Sequence, residues 1–196
     1  MAAVAETSAR VAAILNAACK VVVREGAHGL RIASVAREAG VSKALVHYYF
    51  TSRSELLRSA FAWSDQRWHA ALADELAQVP TAGGRVERAL LIGIDADEPF
   101  SGQRALGNEV WSSLRYDDEL RPLVDGSYRA WLDLLVELID EGRNDGSVAA
   151  GVDAAEAAWR LVAIGDGVDS MLYVGLIDRE RARRLVVASV RRELRP

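Results

Sequence analysis

Apolar residues recur along this chain at helical intervals almost from end to end. Val11, Ile14, Leu15, Ala18, Cys19 and Val22 form one stripe, which Gly26 and Gly29 break. A second runs through Trp131, Leu134, Leu135, Leu138 and Ile139, introduced by Pro122, a residue suited to a first helical turn. Ala182, Leu185, Val186, Ser189, Val190 and Leu194 make a third. Ser52 with Glu55, and Asp153 with Glu156, have the spacing of a capping box. Pro80, Gly83–Gly84, Pro99 and Gly102 punctuate shorter middle helices, and Glu141 to Gly151 reads as a loop. No alternating run, internal repeat or low-complexity segment interrupts the pattern. The prediction is an all-α protein of about nine helices, over 8–25, 32–39, 43–49, 53–78, 82–95, 101–115, 119–141, 153–174 and 178–194.

The stretch "VAREAGVSKALVHYYFTSRSELL", Val35 to Leu57, departs from plain amphipathicity. Two short helices that cross steeply need a small residue at the contact, a left-handed turn between them and an apolar anchor on the second. Ala36 suits the contact, Gly40 the turn, Ser42 the cap of the next helix, and Val46 the anchor. That ordered set is a helix-turn-helix, whose second helix enters the major groove. The same spacing would serve a helical hairpin with a glycine turn. The aromatic end and the local charge favour DNA.

Net charge is −4 over 196 residues, but it is unevenly spread. From Arg10 to Arg58 eight basic residues face three acids, so this segment is +5 and the remainder −9. A basic quarter on an acidic body suits a polyanion-facing module joined to something else. No apolar run is long enough for a membrane span, and the N-terminus lacks the form of a secretory signal. Cys19 is the single cysteine, so no intrachain disulfide is expected and the cytoplasm is the expected compartment.

From about Arg10 to Leu57 the sequence resembles the DNA-binding domain of TetR-family transcriptional regulators. "ILNAACKVVVREG" matches the first helix, "IASVAREAGVSKALVHYYF" the helix-turn-helix, and "TSRSELL" the opening of the fourth. The resemblance implies residues 1–52 as the DNA-binding domain and 53–196 as a helical bundle for ligand binding and dimerisation. It places Arg31, Ser42, Lys43, Ala44, Leu45, His47, Tyr48, Tyr49 and Arg53 at the DNA. Lys43 and Tyr48 would reach base edges or backbone, and Tyr49 and Arg53 phosphate. Ala44 and Leu45 would approach thymine methyls. Tyr49 is open to a pure packing role, while Val46 and Phe50 read as core. Two positions depart from the family. Arg31 stands where Thr or Ser usually caps the second helix, and His47 where Tyr is frequent.

All five tryptophans lie in the acidic body. Aromatics on helix faces are usually core, yet several on different helices can line an apolar pocket. Trp63, Trp111, Tyr116, Tyr128 and Trp131 are the candidates for binding a partly apolar small molecule. "AAWRLVAIGDGVDSMLYVGL" is apolar on most faces, and the resemblance implies a homodimer through the last two helices. "WSSLRYDDELRPLV" and "IDRERARRLVVASVRREL" resemble the BetI-like subgroup without fixing a ligand; a quaternary ammonium would want an aromatic cage.

The expected function is a repressor that binds a palindromic double-stranded DNA operator as a homodimer and is released by a small molecule. A regulator without a ligand is the alternative. A helical enzyme is a remoter one: His28, His47 and His69 have no metal-ligand spacing, Asp166, Asp169, Asp117 and Asp118 read as caps or solvated charges, and no phosphate-binding glycine loop or Gly-x-Ser-x-Gly elbow occurs. No cofactor, metal or membrane partner is expected.

Overall fold

The protein is known from a computed structural model that describes residues 2–95, 100–114 and 118–195, without side chains at 2–6, 100–101 and 103–104. Nine α-helices lie among the described residues, and no strand. They are α1 (Ala2–Glu25), α2 (Ile32–Ala39), α3 (Lys43–Tyr49), α4 (Arg53–Leu76), α5 (Ala82–Asp95), α6 (Phe100–Ser113), α7 (Arg121–Asp145), α8 (Ala154–Tyr173) and α9 (Arg179–Leu194), with a 3-10 turn at Asp118–Leu120 before α7. The chain divides into two compact units, residues 1–69 with 102–125, and residues 70–101 with 126–196.

In the first unit the predicted stripe of α1 is buried at Ile14, Leu15, Ala18 and Val22, with Ala17 and Val21 beside it. Helix α2 packs on α1 and α3 packs on α2. Arg24 holds α1 to α2 by an exposed ion pair with Glu38 at 3.0 Å. The half-buried Cys19 thiol donates to the Ala60 carbonyl of α4 at 3.5 Å, and burial pushes its pKa up to about 12.

In the second unit α5 packs on α8 and α9, which also pack on each other. Val86, Ile92, Leu135, Ile139, Ala157, Leu161, Val186 and Leu194 supply its core. Here the expected Glu141–Gly151 loop is corrected: α7 continues to Asp145. Asp145 accepts from the Ala82 N–H at 2.9 Å, and the Ser147 hydroxyl accepts from the Gly83 N–H at 2.8 Å. These two residues serve amides in the first turn of α5 that have no partner within their own helix. Gly83 lies inside that turn because the chain passes close by; a Cβ there would stand 2.9 Å from the Ser147 carbonyl oxygen.

The hydrogen bond from the Ala82 amide, with help from Ser147, holds the Asp145 carboxyl below its ordinary range. A depressed folded-state value contributes stability above the unfolded pKa, and that contribution fades as pH falls through the folded value. Asp145→Ala should therefore lower the melting temperature at neutral pH. Calorimetry should show the gap to wild type closing in acid, below the ordinary aspartate value of about 3.9.

Candidate functional site

Helix α2 ends as the Ala–Gly spacing requires. Gly40 sits at φ 66° and ψ 32°, the left-handed region, and no other residue type adopts it so cheaply. The Val41 N–H reaches the Ala36 carbonyl at 2.9 Å and the Gly40 N–H the Arg37 carbonyl at 3.3 Å, which is a Schellman closure. Two residues later the Ser42 hydroxyl accepts from the Leu45 N–H at 3.1 Å and caps α3. Ala36 is buried at the helix contact. Val46 is fully buried and Phe50 nearly so, and each anchors α3 by about 1.5–3 kcal/mol of apolar burial.

With that side fixed, the opposite side of α3 faces outward. Ser42, Lys43, Ala44, His47 and Tyr48 are exposed, Tyr48 at 79%. Leu45 and Tyr49 are half-buried, and the Tyr49 ring meets Tyr48 edge-on with centroids 5.0 Å apart. The surface thus offers an ammonium, an imidazole and a phenol on less than two helical turns. Donors of this kind suit phosphate oxygens and base edges.

Arg31 and Arg53 behave differently. Arg31 is the residue before α2, exposed, and makes no side-chain cap, as its chemistry implied. Arg53, a phosphate ligand by resemblance, directs part of its guanidinium at the protein's own backbone. Nε donates to the Leu30 carbonyl at 3.0 Å and another of its nitrogens to the Ala27 carbonyl. Those donors brace the α1–α2 turn against α4. The Ser52 and Glu55 capping box forms with a shift: Ser52 accepts from the Glu55 N–H at 3.0 Å, while the Glu55 carboxylate takes the N–H and hydroxyl of Thr51.

The aromatic ligand candidates are divided. Trp63 and Trp111 belong to the first unit, Tyr128 and Trp131 to the second, and Tyr116 lies outside the described residues. The Arg67 guanidinium stands 4.9 Å over the Trp63 ring, and Trp111 is 45% exposed. Tyr128 and Trp131, one turn apart on α7, are half-buried. The Tyr128 hydroxyl donates to Asp166 of α8 at 2.9 Å. Burial raises the Asp166 carboxyl above its ordinary range, and the charge of Asp169 adds to the rise. Burial and the charge of Asp166 push the Tyr128 phenol up as well. Asp166 is thus neither a cap nor a solvated charge. Its position in mid-helix, next to an aromatic from another helix, could not be read from the sequence of α8 alone.

The first unit also holds an open, largely polar cleft of about 430 Å³ lined by His28, Arg53, Ser54, Leu57, Ser113, Asp118 and Glu119. Nothing in the sequence pattern announced it, because its walls come from four separate segments.

A family profile of bacterial regulatory proteins of the tetR family matches residues 14–60. A profile of the BetI-type transcriptional repressor C-terminal region matches residues 85–195, more than half of the chain. The HTH-type transcriptional regulator BetI of Escherichia coli (strain K12) is 26% identical over 176 residues, covering 88% of this chain and 87% of its own. A putative regulator from Saccharomonospora viridis, solved in complex with choline, superposes with a TM-score of 0.85 at 25% identity, covering 96% of this chain and 98% of its own. A putative TetR-family regulator from a Rhodococcus species gives a TM-score of 0.84 at 26% identity, over 95% and 99% of the two chains.

Proposed function

This chain belongs to the TetR family of bacterial regulatory proteins, with a BetI-type C-terminal region, and from that premise we propose that it is a homodimeric repressor released from a palindromic operator by a small molecule. It is a DNA-binding transcriptional regulator and not an enzyme. No described helix is long and apolar enough to cross a membrane. The observation that carries the proposal is the outward face of α3, with Lys43, His47 and Tyr48 exposed on a helix whose other side is fixed by Val46.

In this reading residues 1–52 bind DNA and 53–196 bind the effector and the second subunit. Dimerisation through the last two helices is supported by the apolar surface they leave bare. Trp159 is 61% exposed, and Met171, Tyr173, Val174 and Leu176 are exposed at and beyond the end of α8. A two-fold pairing sets two α3 helices one DNA turn apart, roughly 34–36 Å, and demands a palindrome. The effector is a partly apolar molecule, and Tyr128 and Trp131 with Asp166 beside them suit one that carries a cationic group. It acts by favouring a spacing of the heads that no longer fits adjacent grooves, and only its different affinity for the two states can do so. Helix α4 contributes 53–69 to one compact unit and 70–76 to the other, which makes it the lever in this mechanism.

One experiment tests this. Selection from random duplexes should return a palindrome with half-sites about 10 base pairs apart, centre to centre. Small amphiphiles, choline among them, should then be titrated into the mobility-shift assay, where one should release the DNA. Enrichment of no duplex would refute the reading. Operator binding that ignores every amphiphile would favour a regulator without an effector.

A further inference from the structure

Ala27, in the turn between α1 and α2, is 2% exposed, and side chains from distant segments of its own compact unit hold both of its backbone groups. Its N–H donates to Oε2 of Glu109 on α6, 82 residues away, at 3.4 Å. Its carbonyl accepts from Arg53 at the start of α4 and from the Leu30 N–H. Neighbouring amides close locally, Gly26 onto the Val22 carbonyl at 2.8 Å and Gly29 onto the Gly26 carbonyl at 3.0 Å. A buried amide left over by its own turn must find an acceptor elsewhere, and Glu109 supplies it. The turn in question sets how α2 leaves α1, and α2 carries α3 through the Gly40 closure.

We propose that Glu109 is a positioning residue for DNA binding: by holding the Ala27 amide, α6 fixes the α1–α2 turn and through it the recognition helix. Helix α6 then has a route to the DNA-binding head that does not pass along α4. The inference rests on the reading of α3 as the DNA-contacting helix. The open cleft described above supports it. His28 and Arg53 line it together with Ser113, Asp118 and Glu119, so it opens beside the turn that Glu109 holds. The second strut is Arg53, whose guanidinium donates to the Leu30 and Ala27 carbonyls from the start of α4. The Glu109 contact is near the long limit of a hydrogen bond, so a shift of α6 by roughly 1 Å removes it.

The test compares full-length wild type, Glu109→Ala and Glu109→Gln by hydrogen–deuterium exchange and by affinity for the selected operator. In Glu109→Ala, residues 26–30 should exchange about tenfold faster and operator affinity should fall about tenfold, while the melting temperature falls by only a few degrees. The glutamine carbonyl still accepts from the Ala27 amide, so Glu109→Gln should recover most of both effects. Wild-type exchange and affinity in Glu109→Ala would overturn the proposal. So would affinity falling only in step with melting temperature in both variants, because Glu109 would then be a packing residue. A wild type that selects no duplex sinks the DNA-binding reading instead, and the exchange measurement still decides whether Glu109 holds the turn.

Discussion

Trp159→Arg should leave a folded monomer that binds its operator about 10²- to 10⁴-fold more weakly than wild type. The indole is 61% exposed on α8, while the opposite side of that helix buries Ala154, Ala157, Ala158, Leu161 and Val162. A large exposed ring is ordinary when isolated. Here it shares its helix and the following turn with four more exposed apolar side chains, and such surfaces mark association. A guanidinium in place of the indole would bring two like charges together across a two-fold axis and remove the apolar contact. Each head would then bind alone, and the avidity of a linked pair is worth about that factor. Sedimentation should give 21.3 kDa for the variant and twice that mass for wild type. A variant that still sediments as a dimer would move the interface away from α8. Because the ring is not part of the protomer's own core, a collapse of helicity would also count against this account.

Lys43→Ala should weaken operator binding by about 10²- to 10⁴-fold while leaving the fold intact. Lys43 is the first residue of α3, exposed, and has no ion-pair partner among the described residues. The cap that starts the helix is the Ser42 hydroxyl, which the substitution does not touch. A hydrogen bond to a charged group is worth about 1.5–3 kcal/mol, and the proposed two-fold dimer would count it twice. If the ammonium meets phosphate, the slope of log affinity against log salt should also fall by about 2, near 0.9 for each phosphate that is no longer neutralised. A mobility-shift titration at several salt concentrations measures both effects. Unchanged affinity would remove Lys43 from the interface.

The parts of the fold set by short-range spacing were legible in the sequence. Ala36, Gly40, Ser42 and Val46 lie within eleven positions, and each does the job its chemistry implies. The start of α2 at Ile32 and the whole of α3 follow from that local logic. Contacts across the sequence were not legible. The end of α7 escapes the local pattern because Asp145 is needed 63 positions away, as an acceptor for α5. The resemblance puts Arg53 at a phosphate, while the carbonyls of Leu30 and Ala27 that accept from its guanidinium lie 23 and 26 positions away and leave no trace in the local pattern. Glu109 gives no signal, since a lone carboxylate in mid-helix is commonly solvated. Asp166 is hidden for the same reason, its Tyr128 partner being 38 positions away.

The thiol that ties α1 to α4 has a practical use. Cys19 is half-buried with its thiol on the Ala60 carbonyl, and burial pushes its pKa up, whereas alkylating reagents consume an accessible thiolate. Dyes or spin labels could therefore be attached through cysteines placed at will on the surface, without first deleting the natural one. Pairs of such probes, one on each head of the proposed dimer, would report the distance between heads as DNA and candidate effectors are added.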